Sequence, residues 1–391
     1  MYTLFILTAF FLLQGTTDPD RLPIPQFEAE VIDNQVSIGY GLAVGDVNGN
    51  GTPDILLADK EQIVWYRNGG WQRFVMAENL TEFDNVAIAA RDITGDGQVE
   101  VAVGAQWNPN ETSDPERSGS VHYLIRPDDP TERWEVVNLH HEPTVHRMKW
   151  VRMANGHYSL VVVPLHGRGN ADGEGNGVRI YAYNPPANPR DLWDMTLLDD
   201  NMNMTHNFDV VPSSVDDGEK LFIGGRQGVR TVQPQDGKWE SLSSEQLPGI
   251  DRGIGEIRHG NLGNMDFLAT IEPMHGNEVA VYLPGDEPRR ILLDDTLNQG
   301  HALATADLLG LGRDQIIAGW RNSDEDGRVG IKLYVPVDET GTQWETYLID
   351  DNNMATEDLI IADLDGDGRP EIIAAGRATN NLIIYWNRTG N

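Results

Sequence analysis

A unit of about fifty residues recurs seven times along this 391-residue chain, and the repeat constrains the fold more than any other feature. The segment Phe27 to Asp46 (FEAEVIDNQVSIGYGLAVGD) matches Trp344 to Asp363 (WETYLIDDNNMATEDLIIAD) position for position. Each reads as an apolar strand, an acidic turn and a second apolar strand ending in Asp. Related openings recur at Trp71, Trp134, Trp193 and Trp239 and, without the aromatic, near Arg290. In the clearer units a D-x-N/D-x-N/D-G loop follows, then a very apolar strand such as DILLAD or EIIAAG, a turn, and a strand such as IVWYRN or LIIYWN. With the Trp-led strand this makes four short strands per unit, bounded by Gly, Asn and Asp. No helical periodicity intervenes, so the expectation is an all-β, seven-bladed β-propeller rather than a βα alternation. The last unit stops after its third strand, while Phe27 to Ile32 reads as an outer strand with no unit before it. The N-terminal strand is therefore expected to complete the last blade, making residues 26–391 one domain.

Composition narrows the partners. With 29 Lys+Arg against 61 Asp+Glu the formal charge is −32, which repels nucleic acid and anionic membrane surfaces. The absence of cysteine removes disulfides, thiolate metal sites and a Cys nucleophile. Residues 1–20 hold an apolar run, TLFILTAFFLL, of the length of a signal-peptide core and too short to span a bilayer. They are expected to be a signal peptide or N-terminal anchor of an exported protein, and no other stretch reads as a membrane span.

The loops Asp46-Asn48-Asn50-Asp54, Asp92-Thr94-Asp96-Glu100 and Asp363-Asp365-Asp367-Glu371 resemble the FG-GAP or VCBS type of propeller repeat. Alternate oxygen ligands followed by Gly at a sharp turn suit a hard cation such as Ca²⁺. The same residue types also build metal-free β-turns. Structural Ca²⁺ is expected at the first and last loops, less so at the second, where Thr94 interrupts the series. Asp307 opens LLGLGRD, which lacks the intermediate ligands.

Propeller connectivity supplies a test of where chemistry lies. The residues just before the inner strands and those just after the second strands share one rim, opposite the acidic loops. The first set reads Tyr40, Val86, His146 or Arg147, His206, Arg252, His301 and Glu357; the second includes Lys60, Gln106, Trp107, His166, Arg168, Arg226, His275, Arg321 and Arg377. Five of only 10 histidines thus fall on one predicted rim. A lone His at a wet channel mouth is ordinarily a solvated side chain; recurrence at His146, His206 and His301 points to a site. Converging imidazoles fit Zn²⁺ better than Ca²⁺, with Mn²⁺ and Fe²⁺ as alternatives. Arg168, Arg226, Arg252, Arg321 and Arg377 could hold a carboxylate or sugar hydroxyls, and Trp107 and Tyr40 offer faces for a sugar ring. His122, His140, His141, His157 and His259 fall elsewhere in the register. The glycine-rich loop from His166 to Gly177 reads as a rim loop, and no G-x-S-x-G nucleophile elbow is present.

HEPTVHRMKW, then LVVVPLHGRGN followed by GVRIYAYNPP, then MTHNFDVV, resembles the propeller domain of aldos-2-ulose dehydratases and their VCBS-repeat relatives, most clearly through blades 2 to 4. The resemblance implies a seven-bladed propeller with a divalent metal, zinc in the family, beside a pocket that eliminates water or an alkoxide from a keto-sugar. His146 matches the T-x-H-R motif, His166 and Arg168 the L-x-G-R-G segment, and His206 the T-H-N motif. In that scheme a metal on His146, His206 and His301 polarises the carbonyl, His166 or His275 takes the proton, and Tyr40 or Glu357 serves the departing oxygen. The competing expectations are a polysaccharide lyase that neutralises a uronate with rim arginines, and a secreted, non-catalytic propeller that binds glycans or proteins. A carbohydrate substrate or ligand is the partner expected, with protein as the alternative in the last reading.

Overall fold

Seven four-stranded antiparallel sheets succeed one another along the chain in this computed structural model, which describes residues 22–214, 218–235, 238–286 and 288–390. The apolar segment within residues 1–20 lies outside the described residues, and among those described no helix is long and apolar enough to cross a membrane. In six sheets the strands follow chain order from the inner to the outer edge. The seventh combines Thr356–Ala362, Glu371–Gly376 and Asn381–Asn387 with Phe27–Asp33 as its outer strand. That seam runs in register from Phe27 opposite Asn387 to Asp33 opposite Leu382. It is extended by the Gln26 amide donating to Thr389 Oγ1 (3.1 Å) and the Arg388 amide to the Gln26 carbonyl (2.8 Å).

Burial across a blade explains the order of hydrophobicity along each repeat. The second strands Asp54–Ala58 and Glu371–Gly376 are buried at every residue, because neighbouring blades cover both faces. The outer strand Phe27–Asp33 is mostly exposed and alternates charged with apolar residues. Apolar clusters join adjacent blades, such as Trp65 and Met76 of blade 1 with Val101, Val103 and Trp134 of blade 2. Each such large side chain contributes about 2–3 kcal/mol on burial. The recurring tryptophan has a second task, because its indole N–H closes the turn before its own strand. Trp134 donates to the Pro130 carbonyl (3.1 Å), Trp193 to Pro189 (3.0 Å) and Trp344 to Gly341 (2.8 Å).

The inner strands ring a central channel of about 580 Å³. Four of them, Val145–Arg152, Thr205–Pro212, Gly300–Ala306 and Thr356–Ala362, carry a bulge near the first residue, where pairing skips past His146, His206 with Asn207, His301 and Glu357 respectively. The inner strands Gly41–Gly45, Ala87–Arg91 and Glu256–Asn261 pair without interruption. A bulge re-aims a side chain that regular alternation would send elsewhere. At the acidic-loop end, Arg91 of blade 2 reaches Glu219 of blade 4 with two bonds of 2.9 Å.

Candidate active site

The four bulged positions gather at one mouth of the channel. His146 gives its Nδ1 hydrogen to the His206 carbonyl (2.9 Å), His206 to the Gly255 carbonyl (2.9 Å) and His301 to the Glu357 carbonyl (2.6 Å). Each ring is therefore tied to the backbone of the next blade, which fixes the tautomer and leaves Nε2 as the ring's acceptor. His275 joins from the turn after the second strand Asp266–Glu272 of blade 5, bringing its Nε2 within 2.5 Å of His206 Nε2. Ring centroids are 4.7 Å apart for His146 and His206, 5.4 Å for His206 and His301, and 4.8 Å for His275 and His301.

Ligand nitrogens of His206, His275 and His301 lie within 4.8 Å of one another. The structure thus brings His275 into the group in which the sequence placed His146. His146 instead lies beside it, stacked on Trp107 with centroids 4.9 Å apart and planes at 26°. Burial drives His146 and His301 well below the usual histidine range, helped by the neighbouring cations Arg147 and Arg321 respectively. Burial, then His206 and Arg321, lowers His275 to about 2. Neutral imidazoles are the form that binds a metal. With His206 Nδ1 committed as a donor, its Nε2 presents a lone pair to His275 Nε2 at 2.5 Å, a contact that a shared proton satisfies and that would open to ~3.3 Å for both nitrogens to hold one tetrahedral Zn²⁺. By donor type alone, neutral imidazole nitrogens suit a borderline-soft divalent ion such as Zn²⁺.

Beyond the histidines the wall turns ionic. Glu357, 1% exposed, takes Arg321 Nη1 on both oxygens (3.1 and 2.9 Å) and Arg377 Nη1 on Oε1 (3.0 Å). Arg377 lies over the Tyr40 ring at 5.6 Å, and the Tyr40 hydroxyl donates to Asp84 Oδ2 (3.0 Å). Burial, then the Asp84 charge, raises the Tyr40 pKa and keeps its proton in place.

The other rim residues are engaged elsewhere. Arg168 binds Glu142 (3.1 and 3.0 Å), and Arg226 binds Glu174 (2.7 Å) and the Asp172 carbonyl (2.8 Å) of the glycine-rich loop. His166 bridges to Met204 through the backbone, and its Nδ1 is buried without a hydrogen bond. Arg252 does not occupy the blade 5 channel-mouth position. It precedes the inner strand Glu256–Asn261 and pairs with Glu272 and Glu278, both at 2.9 Å, while Gly255 supplies the carbonyl that matches His206 and Glu357 of the other blades. Blade 5 has no acidic loop signature, so counting back from one misplaced its register.

A second polar layer lies beneath the histidines, and apart from Arg147 sequence reasoning missed it. The channel wall there includes Arg147, Asn207, Arg258 and Asp358. Glu256, 1% exposed, takes Asn207 Nδ2 on Oε2 (2.7 Å), with Arg258 Nη2 at 3.3 Å from the same oxygen. Its burial opposes ionisation, but the His206 Nδ1–H and the charge of Arg258 outweigh that and lower its pKa. The one trace in the sequence is the pair of adjacent polar residues at His146-Arg147, His206-Asn207 and Glu357-Asp358, which a bulge can turn inward together but an ordinary wet strand end also carries.

On the opposite face the acidic loops differ. Asp363, Asp365 and Glu371 bring carboxylate oxygens within 4.8 Å, and Glu371 Oε1 is buried without a hydrogen bond. Burial, with Asp365 and Asp363 alongside, raises Glu371 to about 7. In the first loop Asp54 accepts the Val47 (3.0 Å) and Asn68 (2.8 Å) amides, while Asp46 accepts the amides of Gly49 and Gly51 (both 2.7 Å). In the second, Glu100 accepts the Ile93 amide (2.9 Å). In blade 6 the equivalent of Glu371 is Gln315, which closes its own loop on the Leu309 amide and the Arg313 carbonyl.

Residues 118–284 match the family model described as aldos-2-ulose dehydratase, beta-propeller domain, and residues 34–103 match that of the FG-GAP-like repeat. The aldos-2-ulose dehydratase of Phanerodontia chrysosporium is 25% identical over 351 residues, an alignment covering 78% of this chain and 37% of that protein. The chain thus spans little more than a third of that relative's length. Among solved structures, BBS1N in its complex with ARL6DN superposes with a TM-score of 0.57 at 14% identity, covering 95% of this chain and 99% of that one. The WD40 beta propeller domain of Doa1 gives 0.52 at 8% identity, covering 93% and 97%. Those two likenesses concern the fold alone. By sequence the chain is thus similar to the aldos-2-ulose dehydratase β-propeller, most directly over residues 118–284, and carries FG-GAP-like repeats near its start.

Proposed function

We propose that the chain is a metal-dependent carbon–oxygen lyase that eliminates water or an alkoxide from a keto-sugar or oxidised glycoside. The observation that carries this reading is the convergence of His206, His275 and His301, with tautomers of His206 and His301 set by backbone carbonyls, beside a fourth imidazole and a protonated phenol. Zn²⁺ held by those three would supply a Lewis acid for the substrate carbonyl. His146 has its Nδ1 hydrogen committed to the His206 carbonyl, so Nε2 is positioned to accept the proton from the carbon beside that carbonyl. Tyr40 retains its proton, which in the resting structure goes to Asp84, and would turn that hydrogen from Asp84 to the departing oxygen. Trp107, fixed against His146, offers a flat face to the sugar ring, and the guanidinium edges of Arg321 and Arg377 not used by Glu357 are donors for its hydroxyls. Buried surroundings strengthen each of these polar contacts.

The uronate-lyase reading is less favoured because Arg168, Arg226, Arg252, Arg321 and Arg377 each already carry an acidic partner of the protein itself. The test combines metal analysis with turnover. Purified protein is expected to hold about one equivalent of a transition metal, and keto-sugars are expected to yield an ultraviolet-absorbing enone. His206→Ala combined with His301→Ala should abolish both. Metal content and enone formation unchanged in that variant would refute the proposal.

A further inference from the structure

We infer that Glu256 is a positioning residue acting through His206, making that imidazole the strongest donor of the three set on bulged inner strands. The inference rests on the metal-site reading above for its functional meaning, and on geometry for its substance. His146 and His301 each give their Nδ1 hydrogen to a single backbone carbonyl, at 2.9 and 2.6 Å. His206 alone among them has a carboxylate in the same place, with Glu256 Oε1 3.2 Å from Nδ1 in addition to the Gly255 carbonyl at 2.9 Å.

The arrangement is built rather than incidental. Glu256 and His206 are each 1% exposed, and Glu256 Oε1 makes no hydrogen bond, so it faces the His206 Nδ1–H as a bare charge while that hydrogen goes to the Gly255 carbonyl. Its second oxygen is fixed by Asn207 Nδ2 at 2.7 Å and by Arg258 at 3.3 Å. Asn207 is the other residue of the bulge that turns His206 to the mouth, so one irregularity in Thr205–Pro212 places both the imidazole and the anchor of its carboxylate. Blade 5 has no bulge, which leaves Glu256 one layer deeper, behind the ring rather than beside it. An anion set against the Nδ1–H raises electron density at Nε2, as carboxylates behind metal-bound histidines do.

The test uses the full chain stripped of metal. Wild type and Glu256→Gln, which keeps the shape and removes the charge, are titrated with Zn²⁺ by calorimetry, and the imidazole nitrogens and Nδ1 protons are followed by NMR without metal. The variant is expected to bind Zn²⁺ about ten- to a hundredfold more weakly. Its His206 Nδ1 proton resonance is expected to move upfield in a variant that remains folded. Equal Zn²⁺ affinity together with an unmoved His206 proton would overturn the inference while leaving the metal site standing. If wild type itself binds no Zn²⁺, the metal-site reading fails and the His206 proton alone decides: an upfield shift in the variant upholds the Glu256 contact, and no shift overturns it. Should Glu256→Gln not fold, Asn207→Ala, which keeps the carboxylate but frees Oε2, should move the same proton in the same direction, and no movement there overturns the inference.

Discussion

Replacing Asp358 with asparagine should stabilise this protein near neutral pH and cease to do so in acid. Asp358 lines the channel, where Oδ2 accepts the Leu42 amide (2.7 Å) and Oδ1 its neighbour Leu359's amide (3.0 Å). No cationic side chain lies within ion-pair distance among the described residues. Burial raises its pKa to about 6, with Arg147 and the Leu42 amide opposing. A carboxyl whose folded pKa lies above its unfolded value contributes stability below the unfolded pKa and loses it as pH rises through the folded one. From 3.8 to about 6 this linkage corresponds to about 3 kcal/mol, lost above pH ~6. The amide keeps one oxygen for Leu42 and gives up one acceptor, a cost of about 1 kcal/mol. A net gain of about 2 kcal/mol is expected at pH ~7.5, or a few degrees of melting temperature. Thermal unfolding in matched buffers at pH ~7.5 and ~4 checks it. A variant less stable than wild type at both values would refute the reasoning, because the wild-type charge would then be stabilised by something other than the groups named.

Other outcomes follow from the same geometry. Trp107→Ala, which removes the face stacked on His146, should raise KM for a sugar substrate by about tenfold in steady-state kinetics. Arg91→Ala, which removes both bonds to Glu219 and leaves that carboxylate with the Arg152 amide alone, should cost about 1–3 kcal/mol in chemical denaturation. Ca²⁺ should raise the melting temperature of wild type but not of Glu371→Gln, with saturation at about 100 times Kd worth about 2.7 kcal/mol. The variant should also be more stable than wild type without calcium at pH ~8, since burial raises Glu371 to about 7 and the glutamine at blade 6 already shows how an amide closes that loop.

The fold was legible because its signal is repetition. Seven similar units, each too small to bury its own apolar faces, leave few alternatives once Trp344 to Asp363 is laid over Phe27 to Asp46. The rim was legible for the same reason: His146, His206, His301 and Glu357 share a repeat position, and their convergence follows from ring closure. Two things were not legible. A bulge adds a residue without changing hydrophobic pattern, so the inward turn of Asn207 and Asp358 had no signature distinct from an ordinary polar pair. Blade 5 lost its acidic loop, so Arg252 was placed where Gly255 lies, and Glu256 behind it escaped notice. The division of labour between His146 and His275 depended on side-chain direction, which spacing cannot supply.

The seam between Phe27–Asp33 and Asn381–Asn387 also sets a timetable for the pocket. All the histidines at the mouth leave the ribosome before Glu357 does, and Glu357 sits on the innermost strand of the sheet that the seam completes. Until the earliest strand finds the latest, Arg321 has no anion to face and the Tyr40 side of the mouth has no Arg377 above it. A half-made chain can thus own every imidazole yet lack the wall that would hold a sugar against them. Assembly order therefore completes the ionic wall of the mouth only after its imidazoles are made.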